Sequence, residues 1–443
     1  MTLIFGSATY LCYACSLFFD EVIKKKVSAR IRVETADELK FPTVTICNNN
    51  LWTLTALLDT SYHLETYGLF EVFKDLYDTA QSLPPPIDKY NWSDPTWAPI
   101  ADLKPNDTEW FLGVAAHPMK DSIYHCTMFG ILTNCSDVFD IVATDRGYCF
   151  QFNGDGKKNA TSAGKTGGIS MVLNANVDLY TTGPASFSEG FSLTFHNAHE
   201  VPMVSELSIG LSPGTEANVQ LHKSAHDRVP PYADGGRADC FDTLSKPNPL
   251  HFYKNYSYSG CQVECKVSYV IQKCGCRDPL MPALNGSTAC DFPTMLYCSA
   301  PAMRNFTSDV AGLKSCNCRD PCKNSEYTAK VSSTRFPSTN YALLMDMDIE
   351  TVEHVQRNWI MVNIFYGKMS FQQLEEEITY DVFDMIANVG GTLGVCLGAS
   401  ALTICEFLEF GILAVFKWLK SRKQVKPSIT VVKVKGIKGV EPH

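Results

Sequence analysis

The absences in this sequence narrow it first. It has no basic stripe: 38 Lys and Arg stand against 47 Asp and Glu, a net charge of −9. The clustered cations that neutralise phosphates are missing, which excludes a nucleic-acid partner. No long low-complexity tract and no repeat of about 20 to 50 residues occurs, so solenoids and propellers are excluded. HNAH at His196–His199 lacks the spacing of a zinc peptidase. GKKNATSAGKT, Gly156–Thr166, puts Asn159 where a phosphate loop needs glycine and leads into a strand-like run. No Ser/His/Asp set or paired-carboxylate motif stands out. The chain is therefore not expected to be an enzyme or to hold a cofactor or metal.

Long apolar runs are few but decisive. Thr2–Phe19 is 18 residues without charge, and Met385–Cys405 is 21 more, each close to the ~20 residues that cross ~30 Å of hydrocarbon. The first run resembles a signal peptide in length, but it lacks a basic n-region and a small-residue cleavage site. Fourteen of the 18 cysteines lie between the runs, with sequons at Asn91, Asn106, Asn134, Asn159, Asn255, Asn285 and Asn305. Confined to one block, they point to an oxidising, glycosylating compartment. CxC pairs such as Cys274/Cys276 have zinc-like spacing, yet structural disulfides are favoured in such a block. Lys417, Lys420, Arg422, Lys423 and Lys426 mark a cytoplasmic flank. Lys24, Lys25, Lys26 and Arg30 would then lie outside, so orientation rests on sequons and cysteines.

The expected organisation is a membrane helix at 1–19, an extracellular domain at 20–384 with a cysteine-rich part at about 240–322, a second membrane helix at 385–416 and a cytoplasmic tail at 417–443. The domain reads as mixed α+β. Val33–Cys47 runs into a strand, Leu51–Gln81 has helical spacing, and 82–125 reads as an irregular exposed excursion. Strands follow from Gly147 to about Tyr232, and RNWIMVNIFY, Arg357–Tyr366, alternates as a strand leading to the second span.

Gly390, Gly394 and Gly398 recur every fourth residue, which permits a tight helix dimer in lipid. Glu406 and Glu409 follow in the same apolar stretch. Carboxylates at membrane depth normally face a bundle interior or a watery path, although Glu409 is also placed to snorkel.

Seven ordered motifs then carry a resemblance across nearly the whole chain: FPTVTICN from Phe41, GYCFQFN from Gly147, GLSPGTEANVQL from Gly210 with PPY at Pro230, CQVECKVSYVIQKCGCRDPLMP from Cys261, CNCRDPC from Cys316, FPS at Phe336 and NVGGTLGVCLGAS from Asn388. The chain resembles the epithelial sodium channel, degenerin and acid-sensing channel superfamily, most like its FMRFamide-gated branch. The resemblance implies a homotrimer or heterotrimer in the plasma membrane, with both termini cytoplasmic and two membrane helices per subunit. It also implies a palm, knuckle, finger and thumb ectodomain and sodium as the permeant ion. Gly398, Ala399 and Ser400 match the selectivity segment. Asn388, Gly390, Gly391, Gly394, Glu406 and Glu409 would line the pore, and Ala387 occupies the site where bulky residues hold members open. The implied disulfides are Cys47–Cys149, Cys126–Cys135, Cys240–Cys322, Cys261–Cys318, Cys265–Cys316, Cys274–Cys298 and Cys276–Cys290.

Departures bear on gating. Asp20–Lys40 lacks the Tyr and His of acid-sensing members, Tyr232 replaces a tryptophan, and Asn388 replaces an acidic residue. Protease-type Arg clusters are missing: residues 50–150 hold Lys74, Lys89, Lys104, Lys120 and Arg146. An extracellular RFamide neuropeptide is the expected stimulus, with proton, mechanical or constitutive opening as alternatives. Such a peptide needs a carboxylate for its Arg and an apolar pocket for its rings. Tyr90–Tyr124 is the candidate segment, with no assigned ligand residue. Two other classes fit less of the chain. An ATP-gated trimeric channel has a different cysteine pattern, and an adhesion glycoprotein leaves Glu406 and Glu409 unexplained.

Overall fold

A computed structural model describes residues 2–24, 27–55, 89–94, 97–98, 102, 104–181, 188–229, 240–308, 316–397 and 401–423. The chain divides into two compact units, Met1–Ser28 with Ile378–His443, and Ala29–Glu377.

The larger unit is built on two sheets. Its strands are β1 (Val27–Thr35), β2 (Thr43–Asn48), β3 (Ile123–Met128), β4 (Ile131–Leu132), β5 (Phe139–Thr144), β6 (Gly147–Phe152), β7 (Ile169–Asn174), β8 (Phe191–His196), β9 (Ile209–Leu211), β10 (Thr215–Asp227), β11 (Lys323–Arg335) and β12 (Trp359–Ile378). The seven-stranded sheet has the order β11-β10-β12-β7-β3-β4, with β1 added on β12, and the five-stranded sheet runs β9-β8-β2-β6-β5. All six residues of β2 are buried, as expected of a β-branched run at the centre of its sheet. Phe41, just before it, meets Phe152 and Tyr366 edge to face at 5.8 and 5.9 Å. One ring of the FPTVTIC motif thereby joins the two sheets.

β10 and β11 pair antiparallel along thirteen residues, from Thr215↔Arg335 to Asp227↔Lys323. β10 also pairs parallel with β12, with a shift between Leu221 and Lys223. The cysteine-rich part leaves at one end of the β10–β11 ladder and returns at the adjacent residue, where Lys323 donates to Asp227 at 2.9 Å. A second core gathers Trp52, Tyr90, Phe111, Phe292, Met295 and Leu296.

Several expectations change here. Residues 82–125 are not simply an exposed excursion. A helix forms at Pro105–Ala115 with proline in its first turn, and Tyr90, Phe111 and Leu112 are buried. The polar composition around it outweighed the apolar run Trp110–Ala116. Arg357 and Asn358 close a helix, Ile349–Asn358, and the strand starts at Trp359. Asp348 caps that helix by accepting from the Thr351 backbone at 2.7 Å. The Leu51–Gln81 helix falls mostly outside the described residues, as do Tyr232 and PPY.

In the smaller unit are α1 (Thr2–Lys24), α2 (Val382–Leu397) and α3 (Ala401–Lys423). Among the described residues no helix is long and apolar enough to cross a membrane. The expected spans at 1–19 and 385–416 fall on these three helices. α1 continues through Asp20, Glu21 and Lys24, while the second apolar run is shared between two helices. The 16 residues of α2 reach only about 24 Å at 1.5 Å per residue. α3 carries Glu406, Glu409 and the cationic end.

Gly190 has φ +113°, and a Cβ there would sit 2.1 Å from the Leu211 carbonyl oxygen across the β8–β9 pair. Gly190→Ala is expected to destabilise the chain by about 1–3 kcal/mol. A thermal midpoint unchanged in the purified protein would contradict this packing.

Candidate functional site

The resemblance places the functional centre on α2 and α3. Asp381 and Asp384 cap α2 reciprocally: the Asp384 backbone donates to the Asp381 carboxylate at 2.8 Å, and the Asp381 backbone to the Asp384 carboxylate at 3.1 Å. This capping box fixes the helix start. One turn on, Asn388 Nδ2 donates to the Tyr380 hydroxyl at 2.8 Å, and Thr392 donates to the Asn388 carbonyl at 2.7 Å. Tyr380 stacks on Phe18 with centroids 6.4 Å apart, and α1 packs against α2.

Ala387, Asn388, Gly390, Gly391 and Gly394 lie on α2 and are exposed. A Cβ added at Gly390 or Gly391 meets nothing within 4 Å. Packing within one chain therefore does not require glycine there. Glu406 and Glu409 are exposed on α3, three residues apart on one face. Gly398, Ala399 and Ser400 lie outside the described residues.

In the larger unit, fourteen cysteines form seven disulfides: Cys47–Cys149, Cys126–Cys135, Cys240–Cys322, Cys261–Cys318, Cys265–Cys316, Cys274–Cys298 and Cys276–Cys290. Cys261 and Cys265 are one turn apart on the helix Tyr258–Cys274, so both project toward the 316–318 segment. Ser257 caps that helix through the Gly260 backbone at 3.0 Å. Buried Glu264 accepts backbone N–H groups of His251, Phe252 and Tyr253. A carboxylate thus holds the loop that a helix alone would leave free.

In the candidate ligand segment, Tyr90–Tyr124, most of the described aromatics pack against other rings, while Trp110 is exposed. Tyr90 packs on Trp92 and Trp97, Trp92 meets Tyr297, and Tyr124 lies against Trp359 at 5.0 Å. Glu109 is bound by the Arg277 guanidinium, which also donates to the Met281 carbonyl at 2.8 Å. These groups join the segment to the cysteine-rich part. A separate cleft of about 610 Å³ lies between the ends of β10 and β11 and the segment 241–256. Sequence reasoning missed it because its residues come from five separate stretches between Asn197 and Gln373. Among the described residues, no group of His, Cys, Asp and Glu is arranged to hold a metal.

Comparison with known proteins bears on the whole chain. The family model described as amiloride-sensitive sodium channel matches residues 1–410. Acid-sensing ion channel 4-B of Danio rerio is 28% identical over 393 residues, covering 86% of this chain and 65% of that protein. Acid-sensing ion channel 2 of Homo sapiens is 27% identical over 389 residues, with coverages of 85% and 73%. Acid-sensing ion channel 1 of Gallus gallus is 26% identical over 421 residues, with 91% and 76%. The chain therefore spans just under two thirds of the first of these relatives. A cryo-EM structure of a proton-activated chloride channel aligns over 94% of this chain at TM-score 0.34 and 7% identity, too distant to bear on the fold.

Two buried histidines define how this unit meets acid. His196 Nδ1 donates to the Asn197 carbonyl at 3.0 Å, so Nε2 accepts from the Thr45 hydroxyl at 2.9 Å. His117 Nε2 accepts from Asn50 at 3.0 Å. Burial lowers both imidazoles from 6.5 to about 4. They stay neutral when folded but take up protons when unfolded, so their stabilisation is complete above pH 6.5 and is lost as pH falls toward 4. Each shift corresponds to roughly 3 kcal/mol at the acid end. The thermal midpoint is expected to drop across this window, with a flatter slope in a His117→Gln/His196→Gln double variant. An unaltered slope would refute the assignment.

Proposed function

The chain belongs to the amiloride-sensitive sodium channel family, and from that premise we propose that it is a subunit of a trimeric, sodium-selective cation channel of the plasma membrane. The observation that carries this reading is a family match running from the first helix to Phe410, through α2 and the start of α3. In this proposal the segments at α1 and at α2 with α3 cross the bilayer, and Gly398, Ala399 and Ser400 form the selectivity constriction between α2 and α3. Irregular backbone at membrane depth is tolerated where it lines such a path. Gly390 and Gly391, which nothing in their own chain crowds, then serve the approach of neighbouring subunits or the width of the pore. Glu406 and Glu409 supply negative charge to a passing cation.

For the stimulus, an extracellular RFamide-type neuropeptide remains the first proposal. It is supported by the lack of Tyr and His between Asp20 and Lys40, since a group titrating near neutral pH is missing there. Opening by protons is a second reading, favoured by relatives named as acid-sensing channels and by Glu200, whose carboxyl burial pushes up.

The deciding experiment is voltage clamp of oocytes expressing the full-length protein with its native N-terminus, given RFamide peptides and acid separately. A sodium current evoked by peptide supports the first reading; one evoked by acid alone replaces it with the second. Within that assay, Ser400→Cys is expected to reduce sodium-over-potassium preference by about tenfold, roughly 1.4 kcal/mol, and unchanged reversal potentials would remove the filter assignment. Ala387→Phe is expected to raise resting current several-fold, and a silent variant would count against the position assigned to it.

A further inference from the structure

The cleft beside the β10–β11 ends carries a second proposal. One wall is the strand ends, with His226 and Asp227 on β10 and Asn324 and Ser325 on β11; the other is the segment from Phe241 to Tyr256. Its lining is dominated by amides, hydroxyls and charges of both signs. Asp227 is already paired with Lys323 at 2.9 Å, and Asn197 Nδ2 is committed to the Ser325 carbonyl at 2.7 Å. Small-molecule pockets are mostly apolar with a few polar groups, whereas this cleft presents polar and apolar surface in about equal measure. Its apolar surface includes Ala225, Pro321 and one aromatic pair, Phe241 and Tyr256, with centroids 4.1 Å apart. Hydroxyl-rich ligands with one C–H face, that is, carbohydrates, match such a lining.

A carbohydrate has an attachment point there. Asn255 lines the cleft, is exposed, and begins the sequon Asn255-Tyr256-Ser257. The other described sequon side chains, Asn91, Asn134, Asn159, Asn285 and Asn305, are exposed but do not line it. The two residues after Asn255 are held in place. The Tyr256 hydroxyl donates to the Arg319 carbonyl at 2.7 Å, and Ser257 is the buried cap of its helix. Asn255 is therefore presented from a fixed backbone at the cleft.

We propose that Asn255 is N-glycosylated and that its first N-acetylglucosamine seats in this cleft, bridging segment 241–256 to the ends of β10 and β11. The modification joins Asn255 Nδ2 to the anomeric carbon of a lipid-linked oligosaccharide. It breaks that carbon's bond to phosphate and releases the lipid pyrophosphate with the amide proton. The proposal rests on the extracellular placement of this unit. The glycan acts as a brace between two walls that the protein itself joins at Cys240–Cys322.

The test uses the full chain from a glycosylating eukaryotic host, with glycopeptide mass spectrometry and hydrogen exchange on three forms: untreated, trimmed to one N-acetylglucosamine, and Asn255→Gln. Asn255 is expected to be occupied. Trimmed protein should retain the protection of amides in 242–254 and 323–325, and Asn255→Gln should lose it by about tenfold in rate. Ser257→Thr, which keeps both the sequon and the capping hydroxyl, should behave as untreated protein. Unmodified Asn255 beside modified Asn134 and Asn159 overturns the proposal alone, as does an occupied Asn255 whose removal leaves exchange unchanged. Absence of glycan at every sequon overturns the extracellular placement as well.

Discussion

The pairing of β10 with β11 is the constraint on which the larger unit depends. Thirteen residue pairs in unbroken register set the position of Asp227 and Lys323, and the whole cysteine-rich part is suspended between those two residues. Around that point the backbone closes tightly: Arg228 donates to the Cys322 carbonyl at 2.8 Å, and Cys322 to the Phe241 carbonyl at 2.9 Å. The inserted part can then be rigid internally, through its own disulfides and Glu264, without distorting the sheet. β12 shares the same sheet and ends at Ile378, four residues before α2 begins. A change at the strand ends thus has a short covalent route to the helix.

The helical unit follows a different logic. Its capping is local, made by Asp381 and Asp384, and its hydrogen bonds run along α2. Its small residues lack a purpose inside one chain. A glycine with open space beside it is weak helix chemistry, costing about 1 kcal/mol relative to alanine. Two in succession on an exposed face make physical sense when another surface, or a passing ion, occupies that space.

Much of the fold was legible because periodicity and burial agree where both faces of a strand are covered, as in β2 and in β12 from Ile360 to Tyr366. The seven-bond framework could not be read from spacing; fourteen cysteines permit too many pairings, and only the family resemblance supplied one. The 82–125 region misled because its Pro, Asp and Asn content outweighed the apolar run Trp110–Ala116, and the partners of Tyr90, Phe111 and Leu112, among them Phe292 and Met295, lie far along the chain. No local window contains those partners. The cleft was invisible for the same reason. The two apolar runs mark helices, but composition alone does not tell that the second is shared between α2 and α3.

The insertion also has a consequence for the order in which the protein assembles. Asp227 and Lys323 are 96 residues apart in sequence, so closing the β10–β11 ladder directly means ordering a very long loop. Once Cys240 and Cys322 are joined, the path between the strand ends shortens to about fifteen residues, lowering the closure cost by roughly 1–2 kcal/mol. Oxidation near the base of the insertion therefore favours zipping of the sheet, and contacts distant in sequence become effectively local ones. For this chain the compartment that forms the disulfide also sets the pace of the sheet.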